Sequence, residues 1–362
     1  MKTSDYSALM PDYGIFRELC LACGPSGFED EPDAIINKAL SGFCDRVEQD
    51  PLGNTLAYIG NDPGKKTLML FAHKDEVGFL VTGITPEGLV RFENIGGIDV
   101  SVLCGRRVVL DTLDGRRIPG IISMRPVHVL SRDERNKMPL HDDLYIDVGA
   151  TDRAQLDGIL AAGCPGTFSP SFSFFGEDGR MLAAKAIDDR LGCAVLLELA
   201  RHFSENRDAL DANLVLAFTV REEIGVSGAN TAAHRVSPDF ALVLESTAAS
   251  DLASVPERFR VARTGEGGAV SFMDRSTVYD RDFVRFALEL AAEKGIRAQL
   301  KKFVSGGNDA GAVHRAAGGI RTLALSAPSR YIHSAVCVAH REDYEAIFRL
   351  SCAIAENISR LG

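Results

Sequence analysis

Short apolar runs alternate with helical segments at both ends of the chain. Strands are predicted at 46–49, 55–59, 67–72, 214–220, 241–244 and 322–326, and helices at 12–24, 31–40, 191–203, 228–234, 282–294 and 343–360. The runs at 67–72 and 214–220 are almost entirely apolar, which is typical of strands buried on both faces. The alternation predicts an α/β fold in which helices cover both faces of a mainly parallel sheet.

The pattern changes between residues 77 and 174. Short β-like runs separated by Gly, Pro and Asp turns lie at 79–84, 107–111, 117–122 and 144–149. Helical periodicity is limited there to a stretch at 152–162. Such a pattern is typical of a small β-rich domain. We therefore expect the α/β domain to consist of two segments, 1–76 and 175–362, with the β-rich segment 77–174 inserted between them.

Composition and charge exclude several classes of function. The chain has 362 residues, 46% of them hydrophobic and 25% charged, and a formal net charge of −10, as in an ordinary globular protein. It has no Lys/Arg cluster or basic–aromatic stripe and no apolar run of membrane-spanning length, so neither nucleic acid nor a membrane is an expected partner. The first residues do not form a basic segment followed by an apolar one, and a cytoplasmic location is therefore expected.

Eight cysteines are scattered along the chain, mostly in apolar segments. This distribution favours reduced, buried thiols over a disulfide framework. Cys20 and Cys23 form a C-x-x-C pair, but they lie in a helical pattern, and no second pair stands at zinc-ribbon spacing. We interpret both as core residues.

Two adjacent carboxylates, Glu222 and Glu223, follow the strand predicted at 214–220. A carboxylate is costly to desolvate unless a cation or a hydrogen-bond donor receives it. The pair therefore indicates a metal ligand beside a proton-transfer group. Alternatively, it is the acidic first turn of a helix, which the helix dipole favours. The pair alone does not decide between these interpretations.

Further His, Asp and Glu residues follow the ends of other predicted strands. They are His73, Asp75, Glu245 and His333. Because the carboxyl ends of parallel strands line one crevice, we expect these side chains to converge with the carboxylate pair. Positions 73 and 75 share a face of an extended strand, so Asp75 can accept the histidine N–H that a metal does not use.

Asp188 and Asp189 stand just before the helix predicted at 191–203. One of them can cap the helix while the other points into the crevice. Two histidines with three or more carboxylates suit a pair of divalent cations bridged by one carboxylate, with a spare glutamate as general base. Nitrogen and oxygen ligands without thiolate favour zinc, with cobalt and manganese as alternatives. The remaining histidines are interpreted as core or surface residues: His128, His141, His202, His234, His314 and His340.

Other catalytic motifs are missing from the sequence. GVSG at 225–228 matches the G-x-S-x-G elbow of serine hydrolases only in part. A P-loop and a dinucleotide-binding fingerprint are absent as well.

Six motifs, in this order, resemble the M42 family of dinuclear metallo-aminopeptidases, which belongs to the wider zinc-exopeptidase group. They are PSGFEDE (25–31), AHKDEVGF (72–79), AKAIDDRLGC (184–193), TVREEIG (219–225), GGNDAG (306–311) and SRYIHS (329–334). The family includes glutamyl and deblocking aminopeptidases and members once labelled endoglucanases. The motifs span nearly the whole chain, and their combination is far more specific than any one of them.

The resemblance implies roles for individual residues. His73 would bind one metal, Glu223 and His333 the other, and Asp188 would bridge the two, with Glu222 as the general base. Asp75 would stand behind His73. The family usually has Asp where this chain has Glu245, which is longer by one methylene and would still be a ligand. Asp309 is interpreted as lying behind the ligands or facing substrate.

The resemblance also implies an inserted β-barrel-like domain used in dimer formation, and assembly into homo-oligomers that extend to dodecamers. The function expected is a metal-dependent aminopeptidase acting on peptides. Two alternatives stay open: a metal-dependent N-acyl amino acid deacylase, and a catalytically silent scaffold of the same fold. The ligand set does not favour a glycosidase, since those enzymes normally use two opposed carboxylic groups without a bimetallic site. Lys74 and Arg330, beside the ligands, could face substrate or solvent.

Overall fold

The computed structural model describes residues 6–129 and 131–362, so the first five residues of the predicted first segment lie outside it. The helices are α1 Tyr13–Leu21, α2 Asp30–Leu40, α3 Arg132–Arg135, α4 Ile187–Glu205, α5 Ser227–Val236, α6 Arg281–Glu293, α7 Ala310–Val313 and α8 Arg341–Ala355. The strands are β1 Arg46–Gln49, β2 Thr55–Ile59, β3 Thr67–His73, β4 Gly78–Ile84, β5 Val90–Ile95, β6 Arg107–Asp111, β7 Arg117–Ser123, β8 Tyr145–Asp147, β9 Pro165–Phe168, β10 Phe172–Phe175, β11 Met181–Ala184, β12 Asn213–Thr219, β13 Phe240–Ala248, β14 Gly268–Val270, β15 Ala298–Leu300, β16 Arg321–Arg330 and β17 Cys337–His340.

One large sheet has the strand order β1-β2-β12-β3-β13-β16-β17-β11-β10, and β14 extends it from β16 to β15. Its centre is parallel: β12 pairs with β3, β3 with β13, and β13 with β16. The flanking pairs are antiparallel. The central strands are the apolar runs of the sequence, and β3 and β12 are buried along almost their whole length. The predicted α/β class is therefore confirmed, with the parallel strands concentrated in the middle.

Helices pack on both faces of this sheet. The larger core lies between the sheet and α1, α2, α4, α6 and α8, and the smaller core lies beneath α5 and α7. Helix α4 is buried along nearly all of its length and packs against β3 and β13. Its first turn consequently lies beside the carboxyl ends of those two strands.

A closed barrel of six strands, in the order β4-β5-β8-β7-β6-β9, interrupts the α/β fold between β3 and β10. Its interior is filled by apolar side chains, with Phe79 packed edge-to-face against Phe92 and Phe168. All six strands fall within the segment 77–174. Strand β10, which begins in the same segment, pairs in the large sheet instead.

Two predicted helices differ in extent from the observed ones. The stretch at 152–162 contains only a 3-10 turn, Arg153–Leu156, and Gly158 and Gly163 have positive φ values of 73° and 96° that end any helix. A helix over that stretch was therefore a wrong prediction. Helix α8 ends at Ala355 and is followed by a separate 3-10 turn, Ile358–Leu361.

Within the described residues, no helix combines the length and the apolar character needed to cross a membrane.

Candidate metal centre

The predicted ligands meet at the carboxyl ends of the central strands. His73 is the last residue of β3, Glu245 lies in β13, and Glu222 and Glu223 follow β12. His73 is in register with Thr219, the last residue of β12, so the carboxylate pair begins three residues beyond that level. Asp188 joins them from the first turn of α4, and His333 from the loop after β16.

These side chains form two groups that share one carboxylate. Site A consists of His73, Asp188 and Glu245, and site B of Asp188, Glu223 and His333; in each, the ligand atoms lie within 4.8 Å of one another. In site A, Nε2 of His73 is 3.4 Å from Oδ1 of Asp188 and 3.5 Å from Oε1 of Glu245. In site B, Nε2 of His333 is 3.5 Å from Oδ2 of Asp188 and 3.2 Å from Oε2 of Glu223. Asp188 thus presents one oxygen to each site.

Glu222 lies against both sites. Its carboxylate forms a third close group with His73 and Glu223. Burial raises the pKa of Glu222 well above its ordinary value, and the neighbouring Glu245 and Asp309 raise it further, while His73 opposes them. A raised pKa is the property that lets a glutamate take up and pass on a proton during catalysis.

The start of α4 separates the roles of its two aspartates. Oδ1 of Asp189 accepts a hydrogen bond from the backbone N–H of Gly192 at 3.0 Å, so Asp189 caps the first turn. The backbone at both aspartates is not helical, and Asp188 turns towards the two sites. The prediction that one aspartate caps the helix while the other enters the crevice is confirmed.

The donor atoms fit divalent cations. Among the residues that the structure describes, Oδ1 of Asp188 is buried and has no hydrogen-bond partner. Burial and the Asp188 carboxylate raise the pKa of Glu245 to about 8, although His73 lowers it. Several carboxylates this close together repel one another unless protons or cations neutralise them. Imidazole nitrogens with carboxylate oxygens are a donor set that zinc, cobalt and manganese accept.

The sequence also matches a known peptidase family. The family described as M42 glutamyl aminopeptidase matches residues 53–350, which is most of the chain.

The protein belongs to the M42 peptidase family.

Relatives of this M42 protein cover nearly its full length. FrvX of Escherichia coli (strain K12) is 30% identical over 341 residues, which are 93% of this chain and 92% of FrvX. The glutamyl aminopeptidase of Lactococcus lactis is 28% identical over 88% of each chain. The lysyl aminopeptidase of Pyrococcus furiosus is also 28% identical, over 96% of this chain and 98% of its own.

Solved structures share the whole M42 architecture. The TET aminopeptidase of a marine sediment Thaumarchaeota archaeon is 33% identical, covers 96% of both chains and has a TM-score of 0.92. The Pyrococcus horikoshii TET1 peptidase is 31% identical over 95% of this chain and 98% of its own, with a TM-score of 0.83. That protein is described as assembling into a tetrahedron or a large octahedral shell.

Asp75 organises the M42 site from behind. Its two carboxylate oxygens accept hydrogen bonds from the backbone N–H groups of Glu222 and Glu223 at 3.1 and 3.2 Å, and the hydroxyl of Ser26 donates to it as well. Burial raises the pKa of Asp75, but these donors and the adjacent His73 outweigh burial and bring it below its usual value. Asp75 therefore stays ionised.

The two histidines are oriented by different partners. Nδ1 of His73 lies 3.2 Å from the carbonyl oxygen of Asp75 and 3.4 Å from its Oδ1. Nδ1 of His333 lies 2.9 Å from the carbonyl oxygen of Gly97, in the barrel. A donated hydrogen bond at Nδ1 leaves Nε2 of each ring free to bind a metal.

Several residues beside the candidate metal ligands have the left-handed backbone conformation that non-glycine residues rarely adopt. They are Ala186, Arg221, Val226, Tyr331 and His333, with φ values between 50° and 60°. Each such residue costs on the order of 1–3 kcal/mol, and clusters of them occur at functional sites. Here the unusual backbone turns precede Asp188 and Glu222 and include His333 itself.

Residues that looked ambiguous in the sequence are resolved by their contacts. Lys74 is buried and binds the carboxylate of Asp33 and the carbonyl oxygen of Gly53, so it faces neither substrate nor solvent. Arg330 forms a two-pronged ion pair with Asp251 at 2.7 and 2.9 Å. Both side chains hold segments of the crevice together.

Asp309 lies behind the candidate metal ligands. Its Oδ2 accepts the hydroxyl of Thr219 at 2.7 Å, and its buried Oδ1 has no hydrogen-bond partner in the described part of the chain. Burial raises the pKa of Asp309 to about 6.

The six histidines interpreted as core or surface residues belong to none of the three close groups found among the described residues.

A buried ion pair joins both halves of the α/β domain and was not singled out in the sequence. Nζ of Lys185 lies 2.6 and 2.8 Å from the carboxylate oxygens of Glu76. Glu76 directly follows Asp75, and Lys185 stands three residues before Asp188. The hydroxyl of Thr167, in barrel strand β9, donates to the same carboxylate at 3.0 Å. Glu76 and Lys185 lie inside the motifs 72–79 and 184–193, and their opposite charges are the sequence signal that could have identified the pair.

Proposed function

We propose that this protein is an aminopeptidase that binds two divalent cations and removes N-terminal residues from peptides. The observation that carries the proposal is the sharing of Asp188 between site A and site B, each completed by one histidine and one further carboxylate. Zinc is the cation that the donor atoms favour, with cobalt or manganese as alternatives.

Bound cations would supply Lewis acidity and lower the pKa of a coordinated water. The chain's own residues would do the rest. His73 and Glu245 would hold one cation, Glu223 and His333 would hold the other, and Asp188 would contribute to both sites. Glu222, raised in pKa and within reach of both sites, takes the proton of the attacking water and later delivers it to the leaving amine.

Asp75 positions these groups rather than touching substrate. Its carboxylate fixes the backbone of Glu222 and Glu223 and faces the ring of His73. Its role is therefore proposed to be orientation of the base and of the ligands.

The side chain preferred at the N-terminus is a separate question. Relatives of equal identity to this chain are named glutamyl and lysyl aminopeptidases, which take side chains of opposite charge. We therefore propose the aminopeptidase reaction without a single preferred residue, and the substrate panel below includes both charges.

We also propose that the segment 77–174 forms the dimerisation domain, between the α/β segments 1–76 and 175–362, and that the protein is a homo-oligomer, extending to a dodecamer. The barrel exposes large apolar side chains: Val129, Met138 and Leu140 are each at least 65% exposed. Exposed apolar groups of this size mark association surfaces, and the similar TET1 peptidase forms closed shells. Light scattering, which compares the mass of Leu140→Asp with that of the parent, tests the proposed association; an unchanged mass contradicts it.

The cytoplasmic location stays a prediction from the sequence.

The function is tested with purified protein and a panel of aminoacyl substrates carrying free or acylated amino groups. Hydrolysis is measured after chelation and again after addition of zinc, cobalt or manganese. Cleavage of free-amine substrates that returns with metal supports the proposal, and the panel gives the side-chain preference. Cleavage of acylated substrates alone indicates a deacylase. Absence of turnover with every metal, in protein that still binds two cations, favours the scaffold alternative.

A further inference from the structure

The two proposed cation sites share the support of Asp75 but differ in their contact with the barrel. Site A is supported by the α/β domain alone: Asp75 faces the ring of His73, and Ser246, next to Glu245 in β13, donates its backbone N–H to Oε1 of Glu245 at 2.9 Å. Asp75 itself is held by Ser26 and by the backbone that follows β12. No barrel residue takes part in these contacts among the described residues.

Site B, by contrast, is also in contact with the barrel. The loop 96–97 directly follows barrel strand β5. The carbonyl oxygen of Gly97 is the partner of Nδ1 of His333 at 2.9 Å. His333 is one-third exposed (33%), compared with 1% for His73, so fewer neighbours fix its ring. The hydrogen bond from Nδ1 to Gly97 therefore has a large share in setting the tautomer and direction of the ring.

Gly96 approaches the other ligand of site B. It has a φ of +82°, and a Cβ atom there would lie 2.8 Å from Cγ1 of Val77 and 3.2 Å from Cβ of Glu223. The loop thus approaches the side chain of Glu223 so closely that an added Cβ at position 96 would be in tight contact with it. Ile98, the next residue along from Gly97, belongs to the barrel core, and Ala335, two residues beyond His333, packs against the same core.

We propose that the barrel loop 96–97 forms the outer wall of site B. Divalent-cation binding at site B, but not at site A, then depends on how the barrel packs against the α/β domain. The inference rests on the proposed two-cation function. It assigns to the barrel a part in the metal centre that is separate from any role in association.

Gly96→Ala tests the inference because it adds one methyl group between the barrel and Glu223. The chain offers a matched control in the same barrel. Gly88 has a φ of +83°, and a Cβ there would lie 2.9 Å from Cβ of Ala150, at the end of the β4–β5 hairpin opposite to loop 96–97. Gly88→Ala therefore introduces a similar backbone strain and a similar clash without touching a ligand.

Zinc binding is measured by titration of chelator-stripped protein, with stoichiometry checked by native mass spectrometry. We expect the parent and Gly88→Ala to bind two equivalents with equal affinities. Gly96→Ala should bind one equivalent as tightly as the parent and the second about 10- to 100-fold more weakly. The reference variant His333→Ala identifies the weakened site. Gly96→Ala should resemble His333→Ala, and adding Gly96→Ala to His333→Ala should leave the affinity of the remaining equivalent unchanged.

Three outcomes overturn the inference: equal weakening of both equivalents by Gly96→Ala, no weakening of either, or the same selective loss in Gly88→Ala. If Gly96→Ala fails to fold without metal, Val77→Ala is added, since it removes the closest clash and leaves the contact with Glu223. The selective loss is expected in that double variant as well, and its absence overturns the inference. A parent that binds fewer than two equivalents contradicts the proposed function itself, whereas a parent with two equivalents and an unaffected Gly96→Ala contradicts only the inference.

Discussion

Asp75 accepts a hydrogen bond from the backbone N–H of Glu222 at 3.1 Å. Its second carboxylate oxygen accepts from Glu223 at 3.2 Å, and its first lies 3.4 Å from the ring of His73. One buried side chain thus aligns the proposed base, a ligand of site B and a ligand of site A. The geometry leads to a set of predictions that separate binding of the cations from the chemistry.

Glu222→Gln should retain both cations and lose turnover. Gln keeps the size of the side chain but cannot accept a proton, and a positioned base contributes about 10²- to 10⁴-fold. The decrease should fall on kcat, measured on the best free-amine substrate, with zinc content determined on the same sample. Full activity of a metal-loaded Glu222→Gln protein would remove Glu222 from the role of base.

Asp75→Asn should weaken zinc binding by about 10- to 100-fold, as changes behind metal ligands do. An amide nitrogen in that position would face backbone N–H groups that need an acceptor. Ser26→Ala is the matched control, because it removes one donor to Asp75 and leaves the carboxylate in place. Its effect should be smaller. Equal effects of the two variants would show that Asp75 acts only through Ser26.

Glu245→Asp should change site A and spare site B. The shorter side chain withdraws the carboxylate from Nε2 of His73, which lies 3.5 Å from it. We expect the affinity of one equivalent to fall by at least about 10-fold and the order of activity with zinc, cobalt and manganese to change. Activity assays with each metal, alongside zinc titration, measure both effects. Loss of both equivalents together would contradict the division into two sites.

Chelation should lower the thermal stability of the protein, since the carboxylates around Asp188 then repel one another. A cation at 100 times its Kd stabilises the folded state by about 2.7 kcal/mol. The midpoint of thermal unfolding should fall with chelator and recover with zinc. A double variant, His73→Ala with His333→Ala, provides the control and should respond to neither. A parent midpoint insensitive to chelator would argue against cation binding at these residues.

The stability of α8 should depend on pH through His340. Nδ1 of His340 accepts the backbone N–H of Glu342 at 3.2 Å and so caps the helix. Burial, with help from Arg180 and Arg297 and against Glu342, lowers the pKa of His340 below 6.5. The unfolded chain therefore takes up the proton first, and the contribution of His340, present above pH 6.5, is lost as the pH falls below it.

His340→Asn checks this, because asparagine also caps helices but does not titrate. The difference in unfolding midpoint between the parent and His340→Asn should move in favour of the variant between pH 8 and pH 5. The difference cancels contributions from the metal centre that both proteins share. A difference that stays constant over that range would contradict capping of α8 by the neutral form of His340.

Much of the site was predictable because a parallel sheet brings strand ends together. His73 ends β3, Glu223 follows β12, and Glu245 lies in β13, directly after its apolar run. The apolar runs of the sequence therefore indicate where these residues lie. The burial of Lys74 could also have been predicted: His73 and Asp75 share one face of the strand, so the residue between them points to the other.

The part of the barrel in the site could not be predicted in the same way. Gly97 contributes a carbonyl oxygen, which every residue possesses, and no side-chain pattern marks it. Strands β5 and β9 were also absent from the prediction, so nothing indicated that the loop after β5 would reach His333. Contacts made by backbone atoms between distant segments depend on the tertiary structure alone.

The barrel interrupts the chain between His73 and every other proposed ligand, which has a consequence for biosynthesis. On the ribosome the barrel strands, which end at Phe168, emerge before Asp188 does. The wall of site B can therefore fold first and wait for the ligands that it will orient. Site A is complete only when His73 has met the proposed ligands that follow the barrel, whereas the proposed ligands of site B all follow the barrel and include residue 333. Cation capture then reports that translation has passed this point and that both halves of the α/β domain have docked.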